Sequence, residues 1–349
     1  MCIFNKVTLK YFNTFSIDVS AESIKEVYSE SELLIYWRQA TQNNKSVLLL
    51  GGGCNVLFLE DYNGVVLLNR IKGLLVHESS NFWHLHIGAG EIWHQLVVYS
   101  LFRNMPGLEN LAWIPGYVGA APIHNIGAFG VELQQFCEYV DVLQLNNGEK
   151  IRFMSFDCKF GYRDSIFKKK FYKYAVVAVG LKISKIWHPV LNYRSLRSLN
   201  VSEISPIQLF RFIYDLRCRS IPDPSVIGNA GSFFKNPIVD RNIADNLSNC
   251  YPDMPCSFQC NGKVKLFAAW LIDSCHLKGY RLGNAGVYSK QSLVLINSNQ
   301  CATGIEIVKL ACFIRNRVAD KFSIWLEPEV RFIDAHGEID AIKLFNELC

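Results

Sequence analysis

Residues 228–237 carry the side chains of this chain that are best suited to chemistry. Ser232 supplies a hydroxyl, an ammonium and a carboxamide follow it, and two phenylalanines beside it can exclude water and strengthen polar contacts. A serine-hydrolase nucleophile elbow is excluded, because it needs glycines at the positions of Ala230 and Phe234. The segment predicts a tight turn that presents Ser232 to a small ligand, and an ordinary turn before Pro237 explains the same composition equally well.

Charged side chains occur in further short motifs. Residues 161–165 join an aromatic ring, a fixed cation and a carboxylate, with a surface ion pair as the alternative. In an extended segment Glu329 and Arg331 share one face, although an exposed strand edge is favoured from this motif alone. The basic run 168–173 predicts a solvated surface loop.

Two glycine-rich segments could bind a ligand through backbone N–H groups. The triplet 51–53 follows a predicted strand, lacks the lysine of a Walker loop, and has Val56 in place of the third glycine of the dinucleotide fingerprint. Its consecutive N–H groups suit a pyrophosphate, although a plain tight turn is the more common meaning of such a triplet. The long apolar loop 115–130 suits a flat ring system, with an irregular core loop as the alternative.

Length and composition predict an ordered protein with a sizeable core. The chain has 349 residues, of which 50% are hydrophobic and 19% charged, and its net charge of +5 suits a small anionic ligand rather than a nucleic acid. The twelve cysteines form no repeated framework. The sequence has no recognisable signal peptide or membrane span, so we expect reduced thiols and a cytoplasmic location. No bound metal is expected either.

Local patterns predict a mixture of helices and strands. Helices are expected from near residue 30 and over 91–102, 266–273 and 305–322, with another from Ser205-Pro206 to before Pro222. Strands are expected at 47–50, 56–59, 65–68, 83–87, 175–183, 293–297 and 324–333, and a hairpin with an Asn-Gly turn over 139–153. Because helices and strands do not alternate strictly, α+β is the predicted class.

Taken together, these segments resemble the UDP-N-acetylenolpyruvoylglucosamine reductase family over nearly the whole chain. The motifs that carry the resemblance follow the family's order: Leu50–Leu57, Pro106–Glu109, 114–122, 125–128, Phe160–Ser165, 228–237 and 326–330. The resemblance implies an FAD-binding fold of the vanillyl-alcohol-oxidase type in two subdomains, 1–70 and 71–219. A substrate domain at 220–323 and a C-terminal return segment at 324–349, which carries the catalytic glutamate, complete it.

The resemblance also implies a reaction. FAD is reduced by NADPH and then reduces the enolpyruvyl group of UDP-N-acetylglucosamine enolpyruvate to the lactyl ether of UDP-N-acetylmuramate, in peptidoglycan precursor synthesis. Negative charge collects on the carbon that bears the carboxylate, where Arg163 and a protonated Glu329 would stabilise it. Ser232 would then protonate that same carbon.

Binding residues follow from the same resemblance. Cofactor contacts are expected from Gly51, Gly52, Gly53, Cys54, Asn55, Val56, Pro115, Gly116, Gly119, Ala120, Ala121, Ile123, Asn125 and Gly127. Arg331 would offset charge on the reduced flavin. Substrate contacts are expected from Tyr162, Tyr193, Arg219, Lys235, Asn236 and Gln291. Only small-molecule partners and a monomer are expected, without nucleic acid or membrane.

Several positions depart from the family pattern. Ala120 and Ala121 replace serines, and His124 stands where glutamine is common. These side chains are dispensable if backbone N–H groups bind the cofactor. Ser220 stands where a lysine is expected to face the substrate pyrophosphate. Arg219, or with less support Arg217, is the predicted replacement, because arginine can bind phosphate through two parallel N–H donors.

Two other functions remain open from the sequence. A flavin oxidase of the same fold would hand electrons to oxygen, and hydrogen peroxide output would identify it. A non-catalytic nucleotide-sugar binding protein would need no flavin loop, so a purified protein without a yellow chromophore would favour it.

Overall fold

The computed structural model describes residues 6–170, 174–259 and 261–348, with the backbone alone for residues 169 and 170. The described residues form eight α-helices: α1 (Glu30–Gln42), α2 (Trp93–Phe102), α3 (Ile166–Lys170), α4 (Pro206–Ser220), α5 (Arg241–Cys250), α6 (Ala268–Ser274), α7 (Gly304–Phe322) and α8 (Ala341–Leu348). They also form twenty-one strands: β1 (Val7–Thr8), β2 (Ser20–Val27), β3 (Ser46–Leu50), β4 (Val56–Phe58), β5 (Tyr62–Asn69), β6 (Leu74–Glu78), β7 (Phe82–Gly88), β8 (Gly127–Ala128), β9 (Val131–Glu132), β10 (Cys137–Gln144), β11 (Lys150–Met154), β12 (Tyr174–Ser184), β13 (Gly228–Ser232), β14 (Ile238–Val239), β15 (Cys256–Phe258), β16 (Val264–Leu266), β17 (Arg281–Leu282), β18 (Ala285–Val287), β19 (Val294–Asn297), β20 (Arg331–Ile333) and β21 (Glu338–Ile339). The α+β class is confirmed.

Sequence signals at helix ends account for several of these helices. The Ser29 hydroxyl accepts a hydrogen bond from the Glu32 backbone N–H at 3.2 Å, so the predicted cap begins α1. Pro206 opens α4, and this helix ends at Ser220, before the next proline, as predicted. The helices predicted over 91–102, 266–273 and 305–322 correspond to α2, α6 and α7, whereas α3, α5 and α8 have no predicted counterpart.

The chain divides into two compact units, each assembled from segments that are distant in the sequence. Unit 1 contains the segment that ends at Glu22, the segment Gly53–Asn63 and the segment from Arg219 onward. Unit 2 contains Ser23–Gly52 and Gly64–Cys218. The boundaries expected for two FAD-binding subdomains, a substrate domain and a return segment stay a prediction.

Unit 2 is built on an antiparallel sheet with the strand order β11-β10-β12-β7-β6. The predicted hairpin is confirmed, because Leu143 of β10 pairs with Lys150 of β11 and Gly148, with a φ of +79°, lies in the turn. Trp93 of α2 and Val118 of the 115–130 loop belong to one buried core, at 1% and 0% exposure. Apolar side chains therefore fix this glycine-rich loop against the sheet and the helices.

Unit 1 contains the sheets β13-β19-β18-β17, β14-β16-β15 and β21-β20-β4, together with α5 to α8. Strand β20 pairs in parallel with β4, with Arg331 opposite Val56. The last extended segment of the chain therefore returns to the strand that follows the glycine triplet. This pairing places the predicted glutamate segment next to a predicted cofactor loop.

The sequence also makes predictions for the basic run, the cysteines and the membrane-spanning potential of the helices. Of the basic run 168–173, residues 168–170 belong to α3 rather than to a loop, and 171–173 lie outside the described residues. Free thiols are present at eight described cysteines, whereas Cys312 is disulfide-bonded, so the expectation of reduced cysteines is wrong at that residue. Among the described helices, none has both the length and the apolar character needed to cross a bilayer.

Candidate active site

Arg163 lies at the corner of a tight turn in unit 2. The Gly161 N–H donates to the Asp164 carbonyl at 2.9 Å, and the Asp164 N–H donates back to Gly161 at 3.2 Å. This turn holds Arg163 in the left-handed region, at a φ of +54°, and its Nη2 donates to the Gly127 carbonyl at 2.7 Å. The structure therefore brings the predicted catalytic cation onto the predicted cofactor loop.

The side chain of Asn125 ties this loop to the turn that carries Arg163. Its buried Nδ2 donates to a carboxylate oxygen of Glu132 and to the Gly161 carbonyl, both at 2.9 Å. Its Oδ1 accepts from the Gln134 N–H at 3.0 Å. Because both amide hydrogens already have partners, Asn125 positions the turn, and its contact with the cofactor stays a prediction.

A second arginine, Arg217 of α4, stands close to Arg163. Its Nε donates to the Trp113 carbonyl at 3.1 Å. Desolvation, with a further contribution from the positive charge of Arg163, lowers the pKa of Arg217 to about 10. Arg217 thus remains a cation at neutral pH, in a place that favours an anionic ligand. Sequence reasoning considered it only as a substitute for the missing pyrophosphate lysine.

The glycine triplet of the predicted pyrophosphate loop has a cation beside it. Arg70 donates through Nη1 to the Gly51 carbonyl at 3.0 Å, and its guanidinium lies 4.9 Å from the centre of the Tyr117 ring. At Gly119 an added Cβ would lie 2.5 Å from the Cβ of Ala89, so only glycine allows this close packing. Glu26 lies 3.3 Å from Arg70 and offsets part of the arginine's charge. A compact backbone loop with a cation beside it fits the pyrophosphate and ring of a flavin nucleotide. Sequence reasoning missed Arg70, since no motif marks it.

Ser232 ends a bulged strand in unit 1 and does not lie in a tight turn, so both turn interpretations are wrong. It pairs with Val294 of β19, and the register shifts between Asn229 and Ser232. The bulge is held by Asn229, whose Oδ1 accepts from the Gly231 N–H at 2.9 Å. Within unit 1, over the described residues, the Ser232 hydroxyl makes no hydrogen bond, so it is available to donate one.

Backbone pairing joins the Ser232 segment to the Glu329 segment within unit 1. The Glu329 N–H donates to the Phe233 carbonyl at 2.7 Å, and the Lys235 N–H donates to the Glu327 carbonyl at 2.9 Å. Phe233 and the residue after it are 0% and 1% exposed, so both rings are buried, and their exclusion of water from a ligand at Ser232 stays a prediction. The Asn55 amide donates to the Glu329 carbonyl at 3.1 Å, which links the glutamate to the glycine loop.

Several predicted binding residues already have protein partners. Arg331 forms an ion pair with Glu338, which offsets part of its charge. Lys235 Nζ pairs with Glu327 at 3.2 Å. Asn236 Oδ1 accepts from the Ala268 N–H at 3.0 Å, at the start of α6. These contacts hold the side chains in place, and their roles toward cofactor and substrate stay predictions.

The remaining predicted substrate residues lie on both units. Tyr193 of unit 2 packs edge-to-face on Phe129 at 5.3 Å, and partial desolvation raises the pKa of its hydroxyl. Tyr162 follows Gly161 in the arginine turn, where its ring lies 5.6 Å from the guanidinium of Arg163. In unit 1, Gln291 accepts from the Leu293 N–H at 3.4 Å, and Arg219 is exposed at the end of α4.

Comparisons with known proteins identify the domains and the family of this chain. Residues 223–333 match the family described as UDP-N-acetylenolpyruvoylglucosamine reductase, C-terminal domain, and residues 22–153 match the FAD binding domain. UDP-N-acetylenolpyruvoylglucosamine reductases of Blochmanniella pennsylvanica and Escherichia coli K12 are 55% and 51% identical over 97% of this chain and 98% and 99% of their own.

A solved structure supports the fold. The UDP-N-acetylenolpyruvylglucosamine reductase from Thermus caldophilus has a TM-score of 0.64 at 23% identity and covers 94% of this chain and 98% of its own. At that identity the likeness speaks for the fold alone. Because more than half of its residues are identical to those of curated relatives over nearly the full length of both chains, the chain belongs to the UDP-N-acetylenolpyruvoylglucosamine reductase family.

Proposed function

We propose that Arg163, Glu329 and Ser232 carry out the substrate half of this family's reaction. The chain is an FAD-dependent oxidoreductase that uses NADPH to reduce UDP-N-acetylglucosamine enolpyruvate to UDP-N-acetylmuramate in peptidoglycan precursor synthesis. FAD, when bound, takes the hydride of NADPH and supplies it to the enolpyruvyl group. The observation that best supports the assignment is the backbone pairing of the Glu329 segment with the segment that begins at Ser232.

Arg163 supplies a fixed positive charge for the intermediate. Hydride addition to the vinyl carbon of the substrate leaves negative charge on the neighbouring carbon and its carboxylate, as an enediolate. Fixed, preorganised charges stabilise such a species more than mobile ones, because they need no reorganisation. The hydrogen bonds from Arg163 to Gly127 and from Asn125 to Gly161 support this role, because they hold the guanidinium on a rigid turn.

Glu329 and Ser232 handle protons. A protonated Glu329 donates a hydrogen bond to the enediolate, and Ser232 Oγ gives its proton to the carbon that carried the charge. A serine hydroxyl is a poor acid, but an enediolate is a strong base. The Ser232 hydroxyl has no partner within the described part of unit 1, which supports a donor role.

The backbone of the two glycine-rich loops would hold FAD. Residues 51–56 would bind the pyrophosphate, with Arg70 as an added cation, and residues 115–127 would face the ring system. Gly119 supports this, since its lack of a side chain lets the loop pack against Ala89. Arg331 contributes less charge than expected from the sequence, because Glu338 pairs with it.

The half-reactions test this function separately. Anaerobic NADPH should bleach the flavin of the purified chain, and UDP-N-acetylglucosamine enolpyruvate should restore its colour with formation of UDP-N-acetylmuramate. A bleached flavin that only oxygen reoxidises, with hydrogen peroxide as product, would overturn the proposal. A colourless chain that takes up no FAD would contradict it as well.

We propose a cytoplasmic, monomeric enzyme, because NADPH and UDP-sugars are cytoplasmic metabolites and each predicted role falls on one copy of the chain. Light scattering after size-exclusion chromatography would give the mass. A stable dimer that gains activity with protein concentration would contradict the monomer.

A further inference from the structure

An apolar cavity of about 520 Å³ opens in unit 2, where α4 begins. Its walls are mainly apolar side chains of α2 and of the first turns of α4, among them Leu101, Phe102, Ile207 and Phe210. This volume falls within the roughly 300–1,000 Å³ of small-molecule sites. None of the described residues that line it has a role in the reductase reaction proposed above.

The charged side chains at the wall of this cavity are cationic. Arg211 and Lys185 contribute them, and no acidic residue occurs among the described lining residues. Lys185 already pairs with Glu78 at 2.6 Å and lies 4.9 Å from the centre of the Trp83 ring. The Arg211 guanidinium makes no hydrogen bond or ion pair with any residue in the described ranges, so it is available to an anion.

The cavity is distinct from the arginine pair of the candidate active site. Arg211 and Arg217 lie on the same helix, six residues apart, which corresponds to about 9 Å along the axis. The guanidinium of Arg217 donates to Trp113, whereas Arg211 faces the cavity at the other end of α4. A ligand of the cavity therefore need not compete with the nucleotide-sugar substrate.

We propose that this cavity binds a medium-chain aliphatic carboxylate. The alkyl chain would lie against Leu101, Ile207 and Phe210, which removes apolar surface of both partners from water. The carboxylate would accept two parallel N–H bonds from Arg211. An uncharged amphiphile would gain no charged hydrogen bond from Arg211, which is exposed at the wall of the cavity, and a cationic one would be repelled by Arg211.

Calorimetric titration of the FAD-loaded chain with octanoate and with 1-octanol tests the proposal. Octanoate should bind at one site, and 1-octanol, which has the same chain without the charge, should bind about tenfold more weakly. Arg211→Ala should weaken octanoate binding about tenfold and leave 1-octanol binding unchanged. Arg38→Ala, at an exposed arginine of α1 in the same unit, should change neither.

A second variant and a competition separate the other outcomes. Ile207→Glu places a carboxylate at the exposed rim of the cavity and should weaken octanoate binding more than 1-octanol binding. Thermal melts should show that both cavity variants are folded. The proposal is overturned if octanoate fails to bind saturably, if it binds Arg211→Ala as well as the parent chain, or if the enolpyruvyl substrate displaces it.

Discussion

The positive charge of Arg163 adds to the desolvation that lowers the pKa of Arg217 to about 10. Both guanidiniums are held by backbone carbonyls, Arg163 by Gly127 at 2.7 Å and Arg217 by Trp113 at 3.1 Å. Two like charges held near each other cost free energy, which an anion placed beside them offsets. The substrate brings a carboxylate and a pyrophosphate, and we predict that this pair binds the carboxylate.

Arg217→Met should therefore weaken substrate binding. Loss of one charged hydrogen bond, worth ~1.5–3 kcal/mol, should raise the KM for the enolpyruvyl substrate roughly tenfold or more. Arg217→Lys keeps the charge and should lose less. Reduction of the flavin by NADPH should stay unchanged in both. Steady-state kinetics measures these KM values, with Arg38→Ala as the control variant. An unchanged KM in Arg217→Met would show that the carboxylate binds elsewhere.

Ser232→Ala should block the second half-reaction and spare the first. NADPH should bleach the flavin at the parent rate, because Ser232 has no part in that transfer. Reoxidation by the enolpyruvyl substrate should slow by about 10²–10⁴-fold, the range for lost general acid catalysis. Stopped-flow absorbance measures both steps in one sample, and unchanged reoxidation would remove Ser232 from the catalytic residues.

Glu329→Gln should retain more activity than Glu329→Ala. The amide still donates a hydrogen bond to the enediolate, whereas alanine does not, and the backbone bonds of this residue to Phe233 and Asn55 remain in both variants. Steady-state kcat of the parent and of both variants measures this difference. Equal losses of kcat in Glu329→Gln and Glu329→Ala would contradict the donor role.

Motifs predicted the candidate site better than they predicted its surroundings. Local patterns can be recognised in a single sequence. They include the glycine triplet, the arginine turn and the segments around Ser232 and Glu329. The bulge before Ser232 depends on the buried amide of Asn229 and on pairing with the distant strand β19. The local sequence does not show these contacts, and it predicts a turn there instead. Composition alone does not separate a bulged strand from a turn, because glycine and asparagine suit both.

Contacts between distant residues could not be predicted from the sequence. The ion pair of Arg331 with Glu338 depends on the register of β20 with β21. Arg70 carries no motif, and its place beside Gly51 depends on the parallel pairing of β3 with β5. Such residues acquire a role only when the fold brings their partners close, which no spacing along the chain encodes.

Gly119→Ala should reduce the affinity for FAD. The added methyl group would lie 2.5 Å from the Cβ of Ala89, so the loop has to shift away from the end of β7. Flavin fluorescence on dilution should show faster release, and the melting temperature should fall. Gly286→Ala is the matched control, because its added Cβ would meet neighbours at an ordinary 3.4 Å. Equal flavin retention by both variants would show that the loop can relax without loss of the cofactor site.

The pyrophosphate of the substrate needs a cation other than the expected lysine, because Ser220 stands at that position. Arg219 directly precedes Ser220 at the exposed end of α4, whereas Lys235 is already paired with Glu327 at 3.2 Å. A cation at a helix C-terminus also stabilises the helix, so part of the effect of Arg219 is structural. Removal of a guanidinium that binds phosphate through parallel N–H donors should weaken substrate binding.

Arg219→Ala should raise the KM for the enolpyruvyl substrate roughly tenfold, for loss of one charged hydrogen bond. UDP-N-acetylglucosamine, which has the pyrophosphate but lacks the enolpyruvyl carboxylate, separates the two arginines. Arg219→Ala should weaken its inhibition of the enzyme, whereas Arg217→Met should leave that inhibition unchanged. A thermal melting curve of Arg219→Ala would show whether the substitution also destabilises the helix. If UDP-N-acetylglucosamine inhibits Arg219→Ala as strongly as it inhibits the parent, Arg219 does not bind the pyrophosphate, and a cation outside α4 must replace the missing lysine.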